Sequence, residues 1–229
     1  LCFNYFKDRL ARFYGTVVNL AIANDWMHKN PFAGIRFQEK EVIREVLTKE
    51  EIERMMCKEF ALPRLEYVRD VFIFCVFTGM AYVDVNNLRQ EHIVRDNNDD
   101  LWIRKARQKT NNMCNIPLLK IPQLLMEKYK NHPLCTKTGA LLPVPSNQKM
   151  NSYLKEIADF CGIQKNLTTH TARHTFATVV ALANGVSMEN IAKMLGHSDI
   201  RMTQRYAKVM DSSIMRDMEN VDKLFKSSE

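Results

Sequence analysis

The chain has 229 residues, with 33 Lys+Arg against 26 Asp+Glu, a formal charge of +7 and 46% apolar residues. That length supports one or two domains with a real core, and seven Gly and seven Pro are too few for a collagenous or low-complexity chain. The longest uncharged run, His174 to Met188, is interrupted by Asn184 and Gly185 and falls short of the roughly 18–20 apolar residues of a membrane span. With no basic-then-apolar leader either, a soluble, non-secreted globular protein is expected.

Phe6, Leu10, Phe13, Val17, Leu20 and Ile22 recur at helical steps, so residues 5–28 are predicted as a helix. Asn30-Pro31 ends it, because a residue before proline is pushed out of the α region. The stretch from Phe32 to Val46 is charged and aperiodic, which predicts a linker. Thr48 and Glu51 have capping-box spacing and open a helix toward Cys57. Leu65 to Phe77 is apolar almost all round and predicts a buried helix stopped at Thr78-Gly79, with a shorter helix over Tyr82 to Arg89.

The middle of the chain changes character. Ile93-Val94, Leu101 to Ile103 and Cys114 to Ile116 are short strand-like pieces separated by turn formers at Asp96 to Asp100 and Lys109 to Asn112. They predict a three-stranded antiparallel sheet. Helical patterning resumes at Ile121, and a loop is expected over Thr136 to Ser146. Thr168 or Thr169 is positioned to cap a helix from about His170 to Asn184, with Gly185 just past its end. Ser187 then caps Met188 to Leu195, stopped by Gly196, and Ser198 or Asp199 caps a helix through Tyr206. Beyond it, Ile214, Met218, Val221 and Phe225 form an apolar stripe suited to packing on the parent domain or on a neighbouring protomer. The six cysteines are widely spaced without a CxxC pair, a pattern of reduced thiols.

Three short segments carry the chemistry: His170-Thr-Ala-Arg173, Leu195-Gly-His197-Ser198 and Arg205-Tyr206. His170 and Arg173 lie three apart and share a helix face. Two imidazoles, a guanidinium and a phenol suit an anionic substrate, since Arg donates in pairs to phosphate and His moves protons. A phenol with a solution pKa of about 10 becomes a nucleophile where cations stabilise its oxyanion. His170 and His174 have i, i+4 spacing, but no HExxH glutamate and no third ligand accompany them, so no metal site is expected. His174 reads instead as a buried, hydrogen-bonded support.

The ordered set resembles the tyrosine recombinases of the phage-integrase family. Arg173 to His197 spans 24 positions and His197 to Tyr206 nine, and Thr78-Gly-Met-Ala-Tyr-Val-Asp-Val85 is similar to integrases of Bacteroides-type mobile elements. The resemblance implies a mainly α (α+β) fold: a helical catalytic domain with a small three-stranded antiparallel sheet, preceded by the last helices of a helical core-binding domain. Its boundaries are expected at 1–38 for the truncated core-binding part, 39–47 for the linker, 48–210 for the catalytic domain and 211–229 for a tail helix. It further implies that Tyr206 attacks a phosphodiester to give a 3′-phosphotyrosine, that Arg173 and His197 hold the non-bridging oxygens, and that His170 takes the tyrosine's proton. Lys109, in the turn before the third strand, matches the lysine that protonates the leaving 5′-oxygen, with Lys105 as the fallback register.

The position of the family's first catalytic arginine is Ala81 here. Arg69, a charge on an otherwise apolar helix, is the expected substitute, the competing reading being that it lies at the exposed start of that helix and pairs with a carboxylate; Asp84 is expected to be structural. The implied setting is a bacterial cytoplasmic enzyme without metal, ATP or other cofactor. Its implied partners are duplex DNA at attachment sites, three further copies in a tetramer on DNA, and host DNA-bending proteins; alone it is expected to be a monomer. Two readings compete: a non-catalytic regulator, because Ala181, Gly185 and Ile191 fit helix-turn-helix spacing, and a type IB topoisomerase, which shares the chemistry.

Overall fold

The computed structural model describes residues 2–32 and 45–207. Contacts divide the chain into two units, Leu1–Ile43 and Arg44–Glu229. The first contains helix α1 (Cys2–Ala23). It ends before the predicted Asn30-Pro31 stop because the chain turns left-handed at Asp25, φ 57°, where the amides of Asp25 and Trp26 close on the carbonyls of Ile22 and Ala21. Asn30 Oδ1 then accepts from the Phe32 amide at 2.8 Å. Among the described residues, no helix is long and apolar enough to cross a membrane.

The second unit is mostly helical with one small sheet. Helix α2 (Lys49–Cys57) starts with the capping box read from the sequence: Thr48 Oγ1 accepts from the Glu51 amide, and Glu51 returns a carboxylate to the Thr48 amide at 2.8 Å. Helix α3 (Pro63–Thr78) begins with proline at its first turn and is buried over most of its circumference, which is why its sequence lacks a polar stripe. It is the centre of the unit, packing on α2, α5 (Lys120–Tyr129), α7 (Asn147–Phe160) and α8 (Thr169–Thr175). Its end is a left-handed Gly79, φ 66°, whose amide reaches Cys75 O. A Cβ at Gly79 would run into the Phe176 ring, so close packing as well as φ requires glycine there.

Strands β1 (Ile93–Arg95), β2 (Leu101–Ala106) and β3 (Met113–Pro117) form an antiparallel sheet in sequence order, with Val94 opposite Trp102 and Arg104 opposite Asn115. Ile103 and Ile116 face each other across β2 and β3 and are buried. Asp96 builds the first turn by accepting from the amides of Asn98 and Asp100 and from Trp102 Nε1.

Three predicted elements differ in detail. The helix after Ala81, α4, runs only over Tyr82–Asn86 and is followed by a 3₁₀ turn at Gln90–His92. The predicted loop at Thr136 to Ser146 begins inside helix α6 (Pro133–Thr138), which stops at a left-handed Gly139. The helix predicted from His170 to Asn184 becomes α8, then a wider π segment (Phe176–Ala181), then a 3₁₀ turn (Leu182–Asn184). Apolar periodicity over so few turns does not separate these windings. Helix α9 (Met188–Leu195) packs on β3 and ends at left-handed Gly196, and α10 (Arg201–Ala207) follows. The stripe Ile214, Met218, Val221 and Phe225 lies outside the described residues. The cysteines described, at 57, 75, 114, 135 and 161, are free thiols.

Candidate active site

Two helix ends build the site. Helices α3 and α9 both finish at left-handed glycines, and their last carbonyls converge on Arg173 from α8. Arg173 Nη1 donates to Gly79 O and Nη2 to Leu195 O, both at 2.6 Å. These carbonyls are the negative ends of helix dipoles, so they hold a cation without a carboxylate. Arg173 is 7% exposed. Burial first, and then the neighbouring Arg107 cation, push its pKa below the ordinary arginine range.

His197 lies in the same cluster. Its Nε2 is 3.2 Å from Arg173 Nη2, and its Nδ1 is 2.9 Å from Thr203 Oγ1. A guanidinium offers only N–H groups, so Nε2 must be the acceptor. The imidazole is therefore neutral, with its proton on Nδ1 directed to the threonine. Burial, Arg173 and Arg107 hold its pKa down to about 4.

Tyr206, on α10, is 9% exposed and belongs to a small apolar cluster with Phe176, Ala177, Ala181, Ile191 and Leu195. Its ring stacks on His197 with centroids 6.3 Å apart and planes at 9°, and lies 5.3 Å from the ring of His174. The phenol is thus held beside Arg173 and His197 by packing. His174 is half-buried and makes the ring contact, while His170 is exposed. Both line a shallow depression of about 280 Å³ with Glu45, Asn166, Thr168 and Thr171.

The β2–β3 turn supplies a cation that sequence reasoning missed. Arg107 lies against Gly196: its Nη1 is 3.4 Å from Gly196 O, and a Cβ on Gly196 would lie 2.7 Å from its Cδ. Among the described residues its buried Nε has no hydrogen-bond partner, and Asp84 Oδ2 lies 3.9 Å away. Asp84 is itself buried and anchors the turn by accepting from the Gln108 amide at 2.8 Å. The signal was the basic run Arg104-Lys105-Ala-Arg107-Gln-Lys109, in which Arg107 stands two residues before the lysine already singled out. Lys109 is exposed at the tip of this turn, whereas Lys105 points its Nζ at His92 Nε2, 3.2 Å away.

Arg69, the expected substitute for the arginine missing at Ala81, does not join the cluster. Its Nη1 donates to the carbonyls of Met55, Met56 and Lys58 at the end of α2, and its Nε donates to Asp70. At about 1.5 Å per residue it lies roughly 15 Å along α3 from Gly79. Its charge is needed there to close α2 and to balance a buried carboxylate.

A buried arginine on helix-end carbonyls, a neutral histidine, a second arginine and a phenol packed against them come together on a mostly helical domain, a donor set that suits an anion. The family model described as phage integrase family matches residues 45–213, and the chain belongs to that family. The tyrosine recombinase XerD of Staphylococcus saprophyticus is 40% identical over 95 residues, covering 42% of this chain and 31% of that relative. XerD of Staphylococcus epidermidis is 38% identical over the same length. The matched stretch therefore spans under a third of these relatives. Among solved structures, the chain is similar in fold to XerA recombinase (TM-score 0.61, 23% identity, 80% of this chain and 66% of that one). It is also similar to the Tn1549 transposon integrase in complex with a circular intermediate DNA (TM-score 0.68, 18% identity, 93% and 78%).

Proposed function

We propose that this chain carries the catalytic part of a site-specific DNA recombinase that cuts and rejoins duplex DNA through a 3′-phosphotyrosine at Tyr206, to integrate or excise a mobile element. The observation that carries the reading is the placement of Tyr206 against His197 and Arg173, with Arg107 beside them. Tyr206 Oη attacks the scissile phosphorus and the P–O5′ bond breaks. Arg173, Arg107 and His197 stabilise the non-bridging oxygens as negative charge develops. The tyrosine's proton passes to His170, and Lys109, on its mobile-length side chain at the turn tip, protonates the departing 5′-oxygen. The phosphotyrosine retains the bond energy, so the reverse attack by a 5′-hydroxyl rejoins the strand.

Arg107 takes the place left by Ala81. It is the cation whose unsatisfied N–H lies next to Arg173, and Asp84 holds the turn that delivers it. Residues 1–38 are assigned to the core-binding part, 39–47 to the linker, 48–210 to catalysis and 211–229 to the tail. Duplex DNA at attachment sites is the partner, held chiefly through phosphates with an affinity that falls steeply with salt. Assembly is as a tetramer on two duplexes in the bacterial cytoplasm, with the tail stripe around Phe225 exchanged between protomers.

The test uses a pool of nicked duplexes randomised around the nick. The chain should form an SDS-resistant protein–DNA adduct that Tyr206→Phe abolishes. Sequence-specific binding with no adduct would favour the regulator instead. Relaxation of supercoiled plasmid without site preference would favour a topoisomerase.

A further inference from the structure

His197 cannot serve a phosphate in the protonation state the structure gives it. Its Nε2 is an acceptor, filled by an N–H of Arg173. A phosphate oxygen is also an acceptor and requires an N–H at that position. An N–H at Nε2 comes either from a shift of tautomer, with the Thr203 hydroxyl turning to donate to Nδ1, or from the gain of a proton while Nδ1 stays a donor. The group that Nδ1 faces is Thr203 Oγ1, on a residue 1% exposed.

We propose that Thr203 is the positioning residue of His197: its hydroxyl oxygen accepts from Nδ1–H throughout, so that the site takes up one proton with each phosphate and the imidazole turns from acceptor to donor. This rests on the recombinase reading. The proton comes from water to Nε2, and it returns there when the phosphate leaves. The Arg173–His197 hydrogen bond is then a place-holder, and both N–H groups turn to the same anion.

The charges around the ring fit this cycle. From α8 it faces Arg173, from the β2–β3 turn Arg107, and from α10 Tyr206, with His174 beyond the phenol. Asp84 is engaged by the turn, and Asp199, two residues away, is paired with Arg201. No carboxylate contacts the imidazole among the described residues, so burial and two cations keep it neutral. An incoming phosphate supplies the negative charge that reverses this balance. Thr203 favours the charged form because a hydrogen bond from an imidazolium is about twice as strong as one from a neutral ring.

Thr203→Val and Thr203→Ser separate this role from packing. In the wild type, ¹⁵N spectra of the protein without DNA should show His197 neutral with its proton on Nδ1 at pH 7. They should show both nitrogens protonated once a nicked duplex is bound. Thr203→Val should move the alkaline limb of the cleavage–pH profile about one unit toward acid. Adduct formation at pH 8 should fall about tenfold, and Thr203→Ser should restore both the profile and the adduct. A wild-type His197 carrying its proton on Nε2, or one that stays neutral in the complex, overturns the proposal, as does a Thr203→Val profile parallel to the wild type. The spectrum without DNA needs no cleavage, so it stands or falls separately from the recombinase reading. Should Thr203→Val fail to fold, the wild-type spectra and Thr203→Ser still decide.

Discussion

Two buried arginines, Arg69 and Arg173, are 8% and 7% exposed and both close the end of a helix with their N–H groups. What differs is the counter-charge. Arg69 also bonds Asp70, which in turn receives Lys128 Nζ at 2.7 Å and the Tyr129 hydroxyl at 2.7 Å, with Glu66 completing the network. Every charge there is matched, and burial with the Asp70 hydrogen bond pushes the Tyr129 phenol far above its ordinary range. Arg173 has carbonyls, a neutral histidine and a second arginine, but among the described residues no carboxylate in contact. A buried cation answered by a carboxylate holds a fold together. One answered only by dipoles is left with charge to give to a phosphate.

The largest expected effect falls on the matched network. Arg69→Met leaves Asp70 short of its cation and α2 without its cap, and should cost about 3–5 kcal/mol, or roughly 6–20 °C in Tm. Adduct formed per folded molecule should be unchanged in a gel assay corrected for folded fraction; a matching loss of adduct would place Arg69 in the chemistry after all. A smaller effect is expected from pH. His197 titrates near 4 in the fold against an ordinary 6.5, so between those values the unfolded chain binds more protons. Its contribution is fully present above about pH 6.5 and is lost as pH falls toward 4, by about 1–3 kcal/mol in denaturant titrations. His197→Gln should flatten that slope. Asp84→Asn weakens the anchor of the β2–β3 turn and should slow cleavage about tenfold with Tm lowered only slightly, which stopped-flow mixing with nicked DNA and a melting curve would resolve. Thr48→Ala removes one cap and should cost about 1 kcal/mol without touching cleavage.

How much of this was legible follows the same division. The helices around α3, the three strands and the glycine stops at 79 and 196 were readable because apolar period, turn formers and left-handed glycines are local signals. Arg173, His197 and Tyr206 were readable because their order and spacing form a set. Arg107 was not, because its role depends on the turn folding back against Gly196, a contact 89 positions away in sequence. A charge on an otherwise apolar helix points Arg69 toward the site, but Met55, Met56 and Lys58 hold it through carbonyls, which every residue has, so sequence carries no mark of them. The break of the 170–184 helix into α, π and 3₁₀ windings escaped for a related reason, since side-chain pattern reports which face is buried more clearly than it reports the pitch.

The most direct measurement is SDS-resistant adduct formation on nicked DNA by Arg107→Ala beside Arg69→Met, each normalised to its folded fraction. Arg107→Ala should fold normally and lose about 10²–10³ in cleavage rate, the expected loss of one transition-state donor, while Arg69→Met loses stability and keeps its rate. An Arg107→Ala protein that cleaves like the wild type, or an Arg69→Met protein that folds but does not cleave, would contradict the assignment of the two arginines.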